Sequence, residues 1–450
     1  MPISTMMDSS ICLISPEEYR QRREALMAKI PQSTLILRSA PMAVMHHDVE
    51  YGFRQDSNFF YLTGFNEADA VAVFAPHHAE HRFILFVQPK DREKETWTGY
   101  RVGVDAAKER YGADIVYDIK DLDEKLPQYI ATADRIYYQF SHDRPFNDRI
   151  VQHWQTQLKY WNKRGIAPLA LEDPTLILNP LRSVKSEAEI KLMRQASHLG
   201  IEAHQLAMKL TKPGCFEYEI QSAMEHHFRT QGAWGAAYPT IVASGSNACI
   251  LHYIENTRQM EAGELLLIDG GCSWHYYNSD ITRTFPVGKT FTPEQKVLYK
   301  LVLKAQEEAI EKVKPGIPWN EYHDVAVRVL VEGLVALGLL QGEISELIEG
   351  EKYKPFYMHR TGHWLGLDVH DAGISKIGDT WQPFQPGQVV TVEPGLYIRP
   401  DIEPAEGQPP IPDRWKGIGI RIEDNVLVTE SGHEVLTAAV PKAIDDLENR

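Results

Sequence analysis

The chain has 450 residues, 43% apolar and 24% charged, an ordinary globular composition long enough for two or three domains, each with its own core. Its 47 basic and 62 acidic side chains leave a net charge of −15 without a dense Lys/Arg run, so the electrostatic footprint of a nucleic-acid binder is missing. No apolar run approaches the roughly 18 residues of a membrane span, and the N-terminus has no basic stretch followed by a long apolar one. Four scattered cysteines, Cys12, Cys215, Cys249 and Cys272, read as free thiols in a reducing compartment. A soluble, cytoplasmic protein is expected.

From about residue 16 to 175, helical patterns such as Glu17 to Ile30 alternate with short apolar runs, Ala70 to Phe74 and Phe83 to Val87. That alternation predicts an α/β domain. Two prolines in Asp173-Pro-Thr-Leu-Ile-Leu-Asn-Pro180 bracket an expected linker. Ser186-Glu-Ala-Glu189 then has the spacing of a capping box, which opens a second domain. The boundary is placed at 180/181. Lys212-Pro-Gly214 recurs as Lys314-Pro-Gly316, each after an amphipathic helix and before Glu217-Tyr218 or Glu321-Tyr322. The repeat suggests two related halves about 100 residues apart, although common helix-stop chemistry explains it equally well.

Apolar strand patterns in the second domain end in acids: Leu265 to Asp269, Val389 to Glu393, and Ile418 to Glu423, where Arg421 shares a face with Glu423. Asp280 follows Asp269 by eleven residues, with Gly270, Gly271 and Asn278 between them to permit a returning hairpin. A single strand-end acid is more often solvated or ion-paired. Several buried together need cations or a metal. Spacing alone leaves open whether they converge. If they do so with one histidine, four carboxylates sum to −4 and two divalent ions neutralise them, whereas one does not. Oxygen-rich ligation with one imidazole suits Mn(II), with Co(II) or Zn(II) as alternatives. Cys272 reads as packing.

The stretch His359-Arg-Thr-Gly-His-Trp-Leu-Gly-Leu-Asp-Val-His-Asp371 holds three histidines. Gly362 and Gly366 interrupt it, which argues against a helical zinc pair at His359 and His363.

Together with Leu267-Ile-Asp269, Asp280-Ile-Thr-Arg283, Thr391-Val-Glu-Pro-Gly395 and Gly419-Ile-Arg-Ile-Glu-Asp424, this stretch resembles the proline-specific metallopeptidases of the pita-bread fold, most closely the aminopeptidase P family. The resemblance extends into the first domain through Phe53 to Glu67. It implies an N-terminal α/β domain followed by an α+β catalytic domain of two pseudo-symmetric halves. It further implies two metal ions on Asp269, Asp280, His363, Glu393 and Glu423, with Asp280 and Glu423 bridging. Hydroxide held between the ions would be the nucleophile, Glu393 the proton shuttle, and His252, His359 and His370 groups for oxyanion stabilisation or proton transfer. Arg421 would orient a bridging carboxylate. Tyr397 and Trp97 resemble pocket positions, Trp97 one that reaches the site from a neighbouring subunit, so a homo-oligomer (dimer or tetramer) is implied. Arg360 stands where glycine is commoner in this family, which puts the local backbone conformation in question. The implied substrate is a peptide with proline second. Prolidase activity on Xaa-Pro dipeptides is the nearest alternative. A catalytically inactive binding module, methionine aminopeptidase and the metal-free creatinases are disfavoured by the first domain or the complete ligand set.

Overall fold

The computed structural model describes residues 14–141 and 143–449; Cys12 and the N-terminal segment read above lie outside them. The chain forms two compact units, Ile14–Arg182 and Ser183–Arg450. In the first, the helix Pro16–Lys29 starts where Ser15 accepts a hydrogen bond from the Glu18 N–H, with proline at its first position. Six strands form a mixed sheet in the order Ile115–Asp118, Phe83–Val87, Val71–Phe74, Thr34–Arg38, Arg135–Tyr138 and Ala170–Glu172. Phe83–Val87 and Val71–Phe74 are buried throughout, so they read as continuous apolar runs without alternation.

The segment expected as a linker is helical instead, Thr175–Ser183, with Pro180 inside it. Pro180 costs this short helix one hydrogen bond, to the carbonyl of Leu176, and Leu176 is exposed to water there.

The second unit opens with the helix Glu187–Leu210, capped reciprocally by Ser186 and Glu189. The helices Glu187–Leu210 and Glu217–Thr230 accompany an antiparallel sheet of Ile241–Ser244, Leu265–Asp269 and Thr282–Pro286. The helices Pro293–Ile310 and Glu321–Ala336 accompany a second sheet of Val389–Val392, Asp424–Val428 and His433–Val435. Each Lys-Pro-Gly lies between the two helices of its half. No helix among the described residues is long and apolar enough to cross a membrane.

One buried titratable group in this frame makes stability depend on pH. His204 has no exposed surface and hydrogen-bonds the Gly270 carbonyl through Nε2 at 3.0 Å. Burial pushes its pKa from 6.5 down to about 4. The unfolded chain therefore binds the extra proton between these values. The contribution is complete above 6.5 and is lost as pH falls towards 4, on the order of 3 kcal/mol in all. Urea unfolding at pH 7.5 and 5 should show a smaller pH-dependent loss for His204→Gln than for the wild type. Equal losses would refute this account.

Candidate metal centre

Local pairing brings the acids to one place. Asp269 ends its strand opposite Thr282, and the Gly270 N–H donates to the Ile281 carbonyl at 3.0 Å. The chain therefore turns back so that Asp280 lies at the same end of the sheet. A Cβ at Gly271 would sit 1.8 Å from the Ser279 carbonyl oxygen, so this return closes only around glycine. Glu423 is tied to Thr282 twice: its N–H donates to the Thr282 carbonyl at 3.0 Å, and the Thr282 hydroxyl donates to Oε2 at 2.6 Å.

From the other half, the Glu393 N–H donates to the Thr361 carbonyl at 2.7 Å and the Thr391 N–H to the His363 carbonyl at 2.9 Å. A Cβ at Gly362 would lie 1.9 Å from the Thr391 carbonyl oxygen. Glycine is what lets the histidine segment approach the Glu393 strand so closely.

Ligand atoms of Asp280, His363 and Glu423 lie within 4.8 Å of one another. His363 Nε2 is 3.4 Å from Asp280 Oδ2 and 3.6 Å from Glu393 Oε1. Its Nδ1–H donates to the Trp364 carbonyl at 2.9 Å, which turns Nε2 towards the acids. Asp269 is linked to Asp280 by Tyr238, whose hydroxyl lies 2.5 Å from Asp269 Oδ1 and also bonds Asp280 Oδ1.

The electrostatics of this cluster call for cations. Burial, with Asp280, Glu393 and Asp269 beside it, raises Glu423 well above the carboxylate range. Burial lifts Glu393 to about 7 and also raises Asp269. Burial would lift Asp280 too, but the hydrogen bond and charge of His363 hold it below its ordinary value. Burial depresses His363, yet Asp280 and Glu393 more than reverse this and bring it to about 9. Protons thus occupy places that cations would take, and binding divalent ions would release them. The donor set of carboxylates and one imidazole fits such ions. Cys272 is fully buried, and burial pushes its thiol up to about 12, so it offers no thiolate.

Arg421 is the buried cation of the cluster, but its partner differs from the expected one. Its ion pair is with Asp269, at 2.7 Å, and it reaches Glu423 only through the Thr282 hydroxyl, at 3.2 Å from Nε. The regular strand stops at Arg421 and resumes at Asp424, which separates the two side chains that strict alternation puts on one face. Arg421 also donates to the Tyr397 hydroxyl at 3.0 Å. That hydroxyl lies 2.8 Å from His359 Nε2. Because His359 Nδ1 hydrogen-bonds the Arg360 carbonyl at 2.7 Å, Nε2 accepts the tyrosine proton. Burial and Arg421 push His359 down to about 3, so it is neutral. Tyr397 is fully buried behind His359 and presents no ring surface for a pocket wall.

His370 is exposed, with its ring centroid 4.3 Å from that of His363. His252 is also exposed and near enough to act electrostatically on both His359 and His370. Trp97 lies in the first unit, 85% exposed. Arg360 has no left-handed backbone, so glycine is not needed there. Its guanidinium packs over Trp319 and Trp381 and bonds Asn320. Tyr238 and Asn425 carry neither charge nor motif that marks them, and Thr282, though within the Asp280–Arg283 motif, is uncharged; their contacts reveal their part in the site.

The chain belongs to metallopeptidase family M24, which it matches over residues 191–430, and residues 19–137 match the aminopeptidase P N-terminal domain. It is a metallopeptidase that uses divalent metal, with an α/β N-terminal domain and a pita-bread catalytic domain. The Xaa-Pro aminopeptidase of Haemophilus influenzae is 42% identical, over 96% of each chain. Among solved structures, Pseudomonas aeruginosa aminopeptidase PepP is 45% identical with a TM-score of 0.90, over 97% of this chain and 98% of that one. Zinc-substituted Escherichia coli aminopeptidase P in complex with product is 39% identical, also at a TM-score of 0.90 and with the same coverage.

Proposed function

We propose that this enzyme is an Xaa-Pro aminopeptidase, which removes the N-terminal residue from peptides whose second residue is proline. The convergence of Asp269, Asp280, His363, Glu393 and Glu423, in a chain matched over 96% of its length by an Xaa-Pro aminopeptidase, carries this reading. The five residues would hold two divalent ions, because four carboxylates, Arg421 and a hydroxide nucleophile sum to −4, which two ions offset and one does not. The oxygen-rich set favours Mn(II). Such ions supply an activated water at neutral pH and polarise the scissile carbonyl.

The protein's own groups do the rest. Glu393, whose Oε1 lies 3.6 Å from His363 Nε2 in the cluster, would take the water's proton and return it to the departing nitrogen. His252 and His370, both solvent-facing, take the substrate side of the site, and His359 is held in one tautomer by Arg360 and Tyr397. Arg421 fixes Asp269 and Tyr397 together.

We place the boundary between the N-terminal and catalytic domains at 180/181, within two residues of the division between the compact units at Arg182 and Ser183. Trp97 and Tyr100, 85% and 93% exposed, suit a surface that a second copy covers, with Trp97 contributing to that copy's pocket. The free thiols Cys215, Cys249 and Cys272 suit a cytoplasmic setting.

A panel of Gly-Pro, Xaa-Pro-Yaa tripeptides and longer prolyl peptides, each with Mn(II), Co(II) or Zn(II), tests the function. The expected result is Xaa release from the tripeptides and longer peptides, greatest with Mn(II). Cleavage confined to the dipeptide would instead make this a prolidase.

A further inference from the structure

The strand after Glu423 places Asn425 against the backbone of Asp280 and turns the side chain of Asp424 to the opposite face. Asn425 is fully buried and faces the site, paired across the sheet with Thr391. Its amide grips the backbone of Asp280 at both ends: Oδ1 accepts from the Asp280 N–H at 3.0 Å, and Nδ2 donates to the Asp280 carbonyl. Asp280 and Glu423, two residues before Asn425, are the carboxylates read as bridging. One neutral side chain therefore ties the peptide of one bridging residue to the strand that carries the other.

Asp424 points the opposite way, into a buried cluster. It accepts from Arg283 at 2.7 Å, Thr437 at 2.7 Å, Gln306 at 2.8 Å and Lys442 at 2.8 Å. Arg283 also donates to the carbonyls of Glu423 at 2.6 Å and Thr282 at 2.9 Å. Thr437 accepts from the Asn425 N–H at 3.0 Å. The Glu423–Asn425 segment is thus held from behind by four residues from three other parts of the chain.

We infer that Asn425 is a positioning residue that sets the separation of Asp280 and Glu423, braced by Thr437 and the Arg283–Asp424–Lys442 cluster, and so determines whether a second metal ion binds. The inference rests on the two-ion reading. An amide suits the position because it both accepts and donates; a carboxylate there would face the Asp280 carbonyl with no proton to offer.

Mn(II) titration by calorimetry, with electron paramagnetic resonance of the loaded protein, tests it. The wild type should bind two ions with a spin-coupled signal. Asn425→Ala and Asn425→Asp should keep the first ion, bind the second about 10- to 100-fold more weakly, and show uncoupled Mn(II). Thr437→Val, further from the site, should weaken the second ion less and covers the case in which the Asn425 variants fail to fold. Wild-type affinity and coupling in a folded Asn425→Ala, or in Thr437→Val if Asn425→Ala does not fold, would overturn the clamp alone. A wild type that takes up one ion would overturn the two-ion reading, and the clamp with it.

Discussion

His363→Ala should lose bound metal and nearly all turnover, whereas His359→Ala and His370→Ala should keep the metal and lose turnover. The separation follows from where each ring nitrogen goes. His363 Nε2 faces Asp280 and Glu393, its other nitrogen being committed to the Trp364 carbonyl. Both ring nitrogens of His359 are already engaged, by Arg360 and Tyr397. His370 packs its ring against that of His363 but remains exposed to the site. Loss of a direct ligand should exceed the roughly 10- to 100-fold effect of an outer hydrogen-bond partner, so a fall in activity of about 10³-fold or more is expected for His363→Ala. For His370 the loss should lie in the range of about 10²- to 10⁴-fold typical of a positioned proton-transfer group, and for His359, which holds Tyr397 in place, in the roughly 10- to 100-fold range of an outer hydrogen-bond partner. Metal content after dialysis, measured alongside turnover of an Xaa-Pro tripeptide, separates the cases. Equal metal loss in all three variants would sink the division of roles.

The second large effect is on stability. Arg421 is 3% exposed, and its removal strips donors from Asp269, Thr282 and Tyr397 at once. Arg421→Met should destabilise the metal-free protein by about 3–5 kcal/mol, because Asp269 is left as a buried charge without its partner. Metal should narrow the deficit, since bound cations neutralise the same carboxylate. Arg421→Lys keeps the charge but not the planar fork that reaches three partners, so it should recover only part of the loss. Denaturant unfolding of chelator-treated and metal-loaded protein measures both quantities. A metal-free Arg421→Met as stable as the wild type, or a deficit unchanged by metal, would contradict this account.

The sequence carried the elements well where the signal was local. Phe83–Val87 is an apolar run with the bounds of the observed strand, and Ser186 with Glu189 forms a capping box because both partners lie within one helical turn. Leu265–Asp269 ends at its acid, as the apolar pattern indicated. The linker reading of Asp173 to Pro180 failed because proline is a breaker only where its missing hydrogen bond matters. Here the affected carbonyl belongs to a solvent-exposed turn.

By itself, then, the sequence determined the strand ends that carry acids, the turn that returns Asp280 towards Asp269, and the motif order that resembles a metallopeptidase. These depend on periodicity, turn chemistry and residue type within a short span. Only the tertiary structure decided that residues about 140 to 150 positions apart share one buried cluster, that Arg421 pairs with Asp269 and reaches Glu423 through Thr282, and that Tyr238 and Asn425 belong to the site. Hydrogen bonds between distant strands fix those partners. An uncharged tyrosine or asparagine leaves no trace in sequence of the carboxylate or peptide group it will meet.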